Sequence, residues 1–138
     1  MTKPADLKTA PAAPIPGLNM QLGLRHVGGN ETLYLRLLQR FARDFAGFTT
    51  RVETLLAADS WDDAVREAHT FRGLSATLGA GELELLAAGL EKALASRSLH
   101  VVLEKLAVTG AAFELMAAAL DAKFAKDEPP NDPESISS

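Results

Sequence analysis

His69 stands in company that suits a nucleophile. It is followed by Arg72 and Gly73, and residues three and four places on share its face of a helix. A neutral imidazole keeps a lone pair on one ring nitrogen, so it can attack a phosphorus centre and later be attacked in turn. A fixed cation one turn away offsets the charge of a transferred phosphoryl group, whose transfer depends mainly on positioning and electrostatics. Gly73 costs about 1 kcal/mol relative to Ala in a helix interior. In return it leaves a gap in the side-chain surface beside the ring, and Ala76 extends that gap. A large partner can then bring its own reactive group against the imidazole. A solitary histidine or glycine on a helix is ordinary surface or packing; the reading rests on their shared face.

These residues need a helix whose other side is buried. At about 100° per residue, Ala64, Ala68, Phe71, Ser75 and Leu78 fall together, with Trp61 and Leu74 at the edges. His69 points about 140° from the middle of that cluster, into water, among Asp62, Val65, Arg66, Arg72, Gly73 and Ala76. Ser60 and Asp63 predict a capping-box-like start, although Glu or Gln is the more usual partner. Gly79 and Gly81 supply the stop.

The remaining chain has the punctuation of a helical bundle. All the prolines lie within the first sixteen residues or the last ten, leaving the middle free to be helical. A short helix is predicted over Asn19 to His26, ended by Gly28 and Gly29, with Asn30 capping a long one. That long helix carries Tyr34, Leu38, Phe41, Phe45, Phe48, Val52 and Leu55 at alternating spacings of four and three, with Gly47 tolerated inside it. After the His69 helix, a fourth turns Leu83, Leu86, Ala87, Leu90, Ala93 and Leu94 inward, and Ser96 and Ser98 break it. The last takes Leu99, Val102, Leu106, Phe113, Met116, Leu120 and Phe124 to the core. The expectation is an all-α fold: an antiparallel four-helix bundle with a short additional N-terminal helix. Residues 1–16 read as a flexible Pro/Ala-rich linker, 17–126 as the bundle and 127–138 as a disordered tail.

Several function classes are disfavoured. Without cysteine there are no disulfides, thiolate nucleophiles or Cys-based metal sites. His26, His69 and His100 are the only histidines, and none has a second His or a Glu-x-x-His arrangement on its helix, so no metal site is expected. A net charge of −4 with dispersed Lys and Arg argues against nucleic acid. No apolar run is long enough for a membrane span. Neither a triad nor a paired-carboxylate set stands out, and no Gly-rich phosphate loop follows a strand.

The stretch from Ala68 to Ala80, AHTFRGLSATLGA, closely resembles the signature of histidine-containing phosphotransfer (HPt) domains: His, a basic residue and Gly at plus three and plus four, then Leu-Gly-Ala. The similarity continues through Leu83, Ala87, Leu90 and Glu91, and the Gly-Leu start, Gly-Gly turn and Tyr-x-x-Leu-Leu helix between 17 and 38 resemble the entry to such domains in bacterial hybrid sensor kinases. It spans roughly residues 17 to 125 and is strongest between 68 and 91.

The resemblance implies a phosphorelay protein with His69 as the phosphorylated residue. Arg72 stands where the family usually has Lys, which keeps the charge but exchanges a compact ammonium for a bidentate guanidinium. Gly73 matches. Glu91 falls where a side chain on the next helix can accept a bond from the far nitrogen of His69 and hold the tautomer that leaves the other nitrogen reactive. The implied partner is a response-regulator receiver domain bringing the phosphorylated Asp and Mg²⁺; no cofactor of its own and no autonomous kinase or ATPase activity are implied. Candidate docking residues are Val65, Arg66, Ala76, Leu22 and Leu24, with core capping the plainer role for at least one leucine. A cytoplasmic monomer is the expected state, either as the end of a membrane-bound hybrid kinase or as a free-standing shuttle. The rival reading is a helical-bundle interaction module that binds receiver or kinase domains without phosphotransfer.

Overall fold

The computed structural model describes residues 15–127, and every regular element in them is a helix. The order is α1 (Met20–His26), α2 (Glu31–Asp44), α3 (Phe48–Ala57), α4 (Trp61–Leu78), α5 (Gly81–Ala95) and α6 (Leu99–Asp127). His69 lies on α4. That helix packs mainly on α5 and also meets α1, α2 and α3, while α5 packs on α6. The linker and tail expectations fall outside the described residues apart from their inner edges. Ile15, expected in the linker, is only 5% exposed and joins the core.

The apolar face of α4 is buried as its periodicity requires: Ala64, Ala68, Phe71, Ser75 and Leu78 are all inside. Phe71 is the centre of an aromatic cluster, with ring centroids 4.4 Å from Phe48, 5.2 Å from Phe45, 5.4 Å from Phe41 and 5.8 Å from Phe113. Stacked and edge-on pairs at these separations add to the area effect of burying large rings. Ser75 lies in the core at no polar cost, because its hydroxyl donates to the Phe71 carbonyl at 2.8 Å. Thr109, an unforeseen core member on α6, does the same to Lys105 at 2.7 Å.

Four expectations need correction. The long helix predicted from Asn30 breaks at Phe45–Gly47 into α2 and α3. The turn is tight: Ala46 N–H donates to the Arg43 carbonyl and Phe48 N–H to the Phe45 carbonyl, both three residues back. A three-residue turn preserves the apolar phase, so both Phe45 and Phe48 still reach Phe71. At the start of α4, the Ser60 side chain makes no cap bond. Asp63, its expected partner, pairs with Arg66 one turn on. Leu99, the first residue of α6, is 49% exposed and not in the core; Leu86 is half-buried.

Both ends of α4 are fastened. At its start the half-buried Trp61 donates through Nε1 to Asp59 Oδ1 at 3.1 Å, and the Arg97 guanidinium lies 5.7 Å from its ring centroid. At its end Gly79 takes a left-handed conformation (φ +86°), and Ala80 N–H reaches back to the Ser75 carbonyl at 2.8 Å. The last carbonyls, which no helical amide can satisfy, are taken by other elements. Tyr34 Oη donates to Leu78 O at 2.7 Å, His26 Nδ1 to Thr77 O at 3.0 Å and Asn19 N–H to Gly79 O at 2.7 Å. A Cβ at Gly23 would run into the Leu78 carbonyl, so glycine is what lets α1 come this close.

Burial pushes the Tyr34 phenol up to about 12, which keeps it a neutral donor at any ordinary pH. Tyr34→Phe leaves the Leu78 carbonyl without that donor and is expected to lower stability by about 1–2 kcal/mol. Urea unfolding checks this as a lower midpoint with an unchanged slope.

Candidate functional site

The face of α4 opposite Phe71 is open. The His69 side chain is 63% exposed. Gly73, one turn on, has nothing within 4 Å of where a Cβ would stand, so no packing demand inside the molecule explains the glycine. Ala76 is half-buried and Thr77 exposed, and the clearing runs on along the helix.

The wall on one side of the ring comes from α5. His69 Nδ1 lies 3.0 Å from Glu91 Oε2, and Arg72 Nε donates to Glu91 Oε1 at 2.7 Å. An Arg72 terminal nitrogen approaches the same His69 Nδ1 at 3.1 Å, closing a three-residue ring of contacts. With Nδ1 occupied on the inner side, Nε2 is the ring nitrogen left to the exterior. Glu91 is the innermost member, its side chain 21% exposed. Burial pushes its carboxyl up, but hydrogen bonds from Arg72 and His69 and the charges of both outweigh that and leave it below the ordinary glutamate range. Glu91 is therefore a carboxylate at neutral pH, an acceptor only.

The sequence-predicted residues divide into two groups. His69, Arg72, Gly73 and Glu91 come together. The Arg72–Glu91 ion pair was not foreseen, since the partners lie on different helices and the short motif contains only one of them. Among the docking candidates, Val65 is half-buried against the core, and Arg66 is exposed but tied to Asp63. Leu24 packs on the core, the capping role; Leu22 is half-buried. Both leucines sit on α1, which meets α4 near Thr77 to Gly79, roughly 12 Å along the axis from His69 at 1.5 Å per residue. Leu74, 40% exposed, was not among the candidates. It borders a shallow cavity of about 260 Å³ that is also lined by Leu37, Phe41 and Phe45. Its only sequence signal was a place at the edge of the apolar arc. Among the described residues no group of three His, Cys, Asp or Glu side chains is placed to hold a metal ion. No described helix is long and apolar enough to cross a membrane.

Because Arg72 holds the Glu91 carboxyl down, Arg72→Ala is expected to raise its titration midpoint toward or above the ordinary glutamate value. The wild-type midpoint lies below that value, so this ion pair contributes its stability at higher pH and loses it as pH falls through the folded-state midpoint. Carboxyl-detected NMR titration of both proteins checks the order.

The family model of the Hpt domain matches residues 36–123, well over half of the 138-residue chain, and takes in α3 to α5 with most of α2 and α6. Searches of curated proteins and of solved structures gave no match. Hpt domains are histidine phosphotransfer modules of two-component phosphorelays and interact with receiver domains. With the matched segment enclosing His69, Arg72, Gly73 and Glu91, the chain belongs to the Hpt domain family.

Proposed function

We propose that this protein carries a phosphoryl group on His69, accepting it from the phosphoaspartate of a receiver domain and passing it to, or back from, a response regulator. The observation that supports this most is an exposed imidazole whose inner nitrogen is engaged, beside a glycine that no internal contact requires. In the forward step the Nε2 lone pair attacks phosphorus, an N–P bond forms, and the P–O bond to the aspartate breaks, returning a free carboxylate. The reverse step has the same atoms, so the transfer is reversible.

Arg72 offsets charge on the phosphoryl group, Glu91 orients the ring, and Gly73 with Ala76 admits the partner. The receiver supplies the aspartate and a divalent cation, Mg²⁺; this chain supplies the nucleophile and a docking surface that includes Val65, Arg66, Ala76 and Leu22. It has no cofactor of its own and no kinase activity. The bundle reads as four antiparallel helices plus the short α1, with α2 and α3 together forming one of the four. A monomer in the cytoplasm, as the end of a hybrid sensor kinase or as a free shuttle, completes the reading.

The test is transfer from a labelled, phosphorylated receiver to the wild type and to His69→Gln, with the fold of each checked by circular dichroism. Acid-labile label on the wild type and none on the folded variant is expected. Label persisting on the variant assigns another histidine, and no transfer from any of a panel of receivers favours a bundle that binds without phosphotransfer. Gly73 gives a second, opposed pair of readouts. Gly73→Ala is expected to raise stability by about 0.5–1 kcal/mol, since the methyl meets open space. Gly73→Met, which fills the clearing, should slow transfer by about tenfold to a hundredfold while the protein stays folded. Thermal unfolding and single-turnover transfer measure the two.

A further inference from the structure

The three contacts at His69 make opposed demands on one atom. Nδ1 of a neutral imidazole carries either a proton or a lone pair. Glu91 Oε2, 3.0 Å away, is an acceptor and needs the proton there. The Arg72 terminal nitrogen, 3.1 Å away, is a donor with no acceptor capacity and needs the lone pair. Both cannot be satisfied together. When Glu91 prevails, Nε2 is bare and nucleophilic; when Arg72 prevails, the proton sits on Nε2 and that nitrogen cannot attack.

We propose that Arg72 is a positioning residue that competes with Glu91 for Nδ1, and so sets the fraction of His69 rings in the reactive tautomer. This rests on the reading of His69 as the phosphoryl acceptor. The competition follows from the guanidinium itself. Its Nε is anchored on Glu91 Oε1 at 2.7 Å while a second nitrogen of the same rigid plane faces the ring. A lysine there has a single ammonium on a flexible stem, with no second nitrogen held toward Nδ1 by the bond to Glu91, so its donors are not fixed on the ring. Arg72 thus restrains the free imidazole while offering charge to the phosphorylated one.

The test reads the tautomer directly, from the side-chain ¹⁵N shifts of His69 in mildly alkaline solution. The proteins are the wild type, Glu91→Gln and the double variant Glu91→Gln/Arg72→Lys, each checked for fold. An amide at 91 can donate or accept, so it removes the bias toward Nδ1–H without emptying the site. Glu91→Gln is expected to carry more Nε2–H than the wild type. Replacing Arg72 by Lys in that background should move the ratio back toward Nδ1–H by about fivefold, the scale of one charge-assisted hydrogen bond at a half-exposed site. Equal ratios in the single and double variants overturn the proposal, because a purely electrostatic or structural role for Arg72 leaves the tautomer unmoved when the charge is kept. Receiver-dependent labelling of the same proteins separates the two claims. Tautomers that follow the substitutions in a protein never labelled on His69 sink the phosphoryl-carrier reading alone, and labelling with an unmoved ratio sinks this inference alone.

Discussion

The burial of Phe71 is the constraint on which the site depends. Its ring packs with four other phenylalanines, from α2, the α2–α3 turn, α3 and α6, so these aromatic contacts fix the rotation of α4 about its own axis. At about 100° per residue, positions two before and two after a buried residue both fall about 160° away from it. Those positions are His69 and Gly73. Sinking one ring into the core therefore lifts the imidazole and opens the gap beside it in a single geometric act.

A second constraint sets the height of the neighbouring helix. The α4–α5 connection is only Gly79 and Ala80, and α5 doubles back along α4 from there. His69 and Glu91 lie at equal sequence distances on either side of Ala80, so two helices of equal rise place them level with each other. The left-handed Gly79 makes so short a turn possible, and the bonds from Asn19, His26 and Tyr34 hold the end of α4 where the turn begins. Contacts more than ten ångströms along the helix from the imidazole thus help decide whether Glu91 reaches it.

Much of this was legible because helical period and side-chain type are local properties. The buried face of α4, the exposure of His69, the clearing at Gly73 and the cap at Asn30 each follow from a window of a few residues. What escaped involved alternatives that leave that pattern unchanged, or partners that no window contains. The break at Phe45–Gly47 is silent in the periodicity because its bonds to carbonyls three residues back keep the phenylalanines in phase. Ser60 and Asp63 have the right spacing for mutual capping, yet a competing cation one turn on claims the aspartate. Ile15 lies in a proline-rich stretch of sequence whose composition gives no sign that it is buried. Arg72 was read as a cation facing a future phosphoryl group; its engagement with Glu91 needed the facing helix in place.

The fastenings at the two ends of α4 have an optical consequence. Trp61, the only tryptophan of the chain, stands at the start of the helix against Arg97, and Tyr34, the only tyrosine, is bonded to its last turn. Each end of the element that carries His69 therefore has its own natural chromophore, distinguishable by absorbance and emission without any label. Loosening at one end perturbs one dye and spares the other, so fraying of this helix can be told from its wholesale release by light alone.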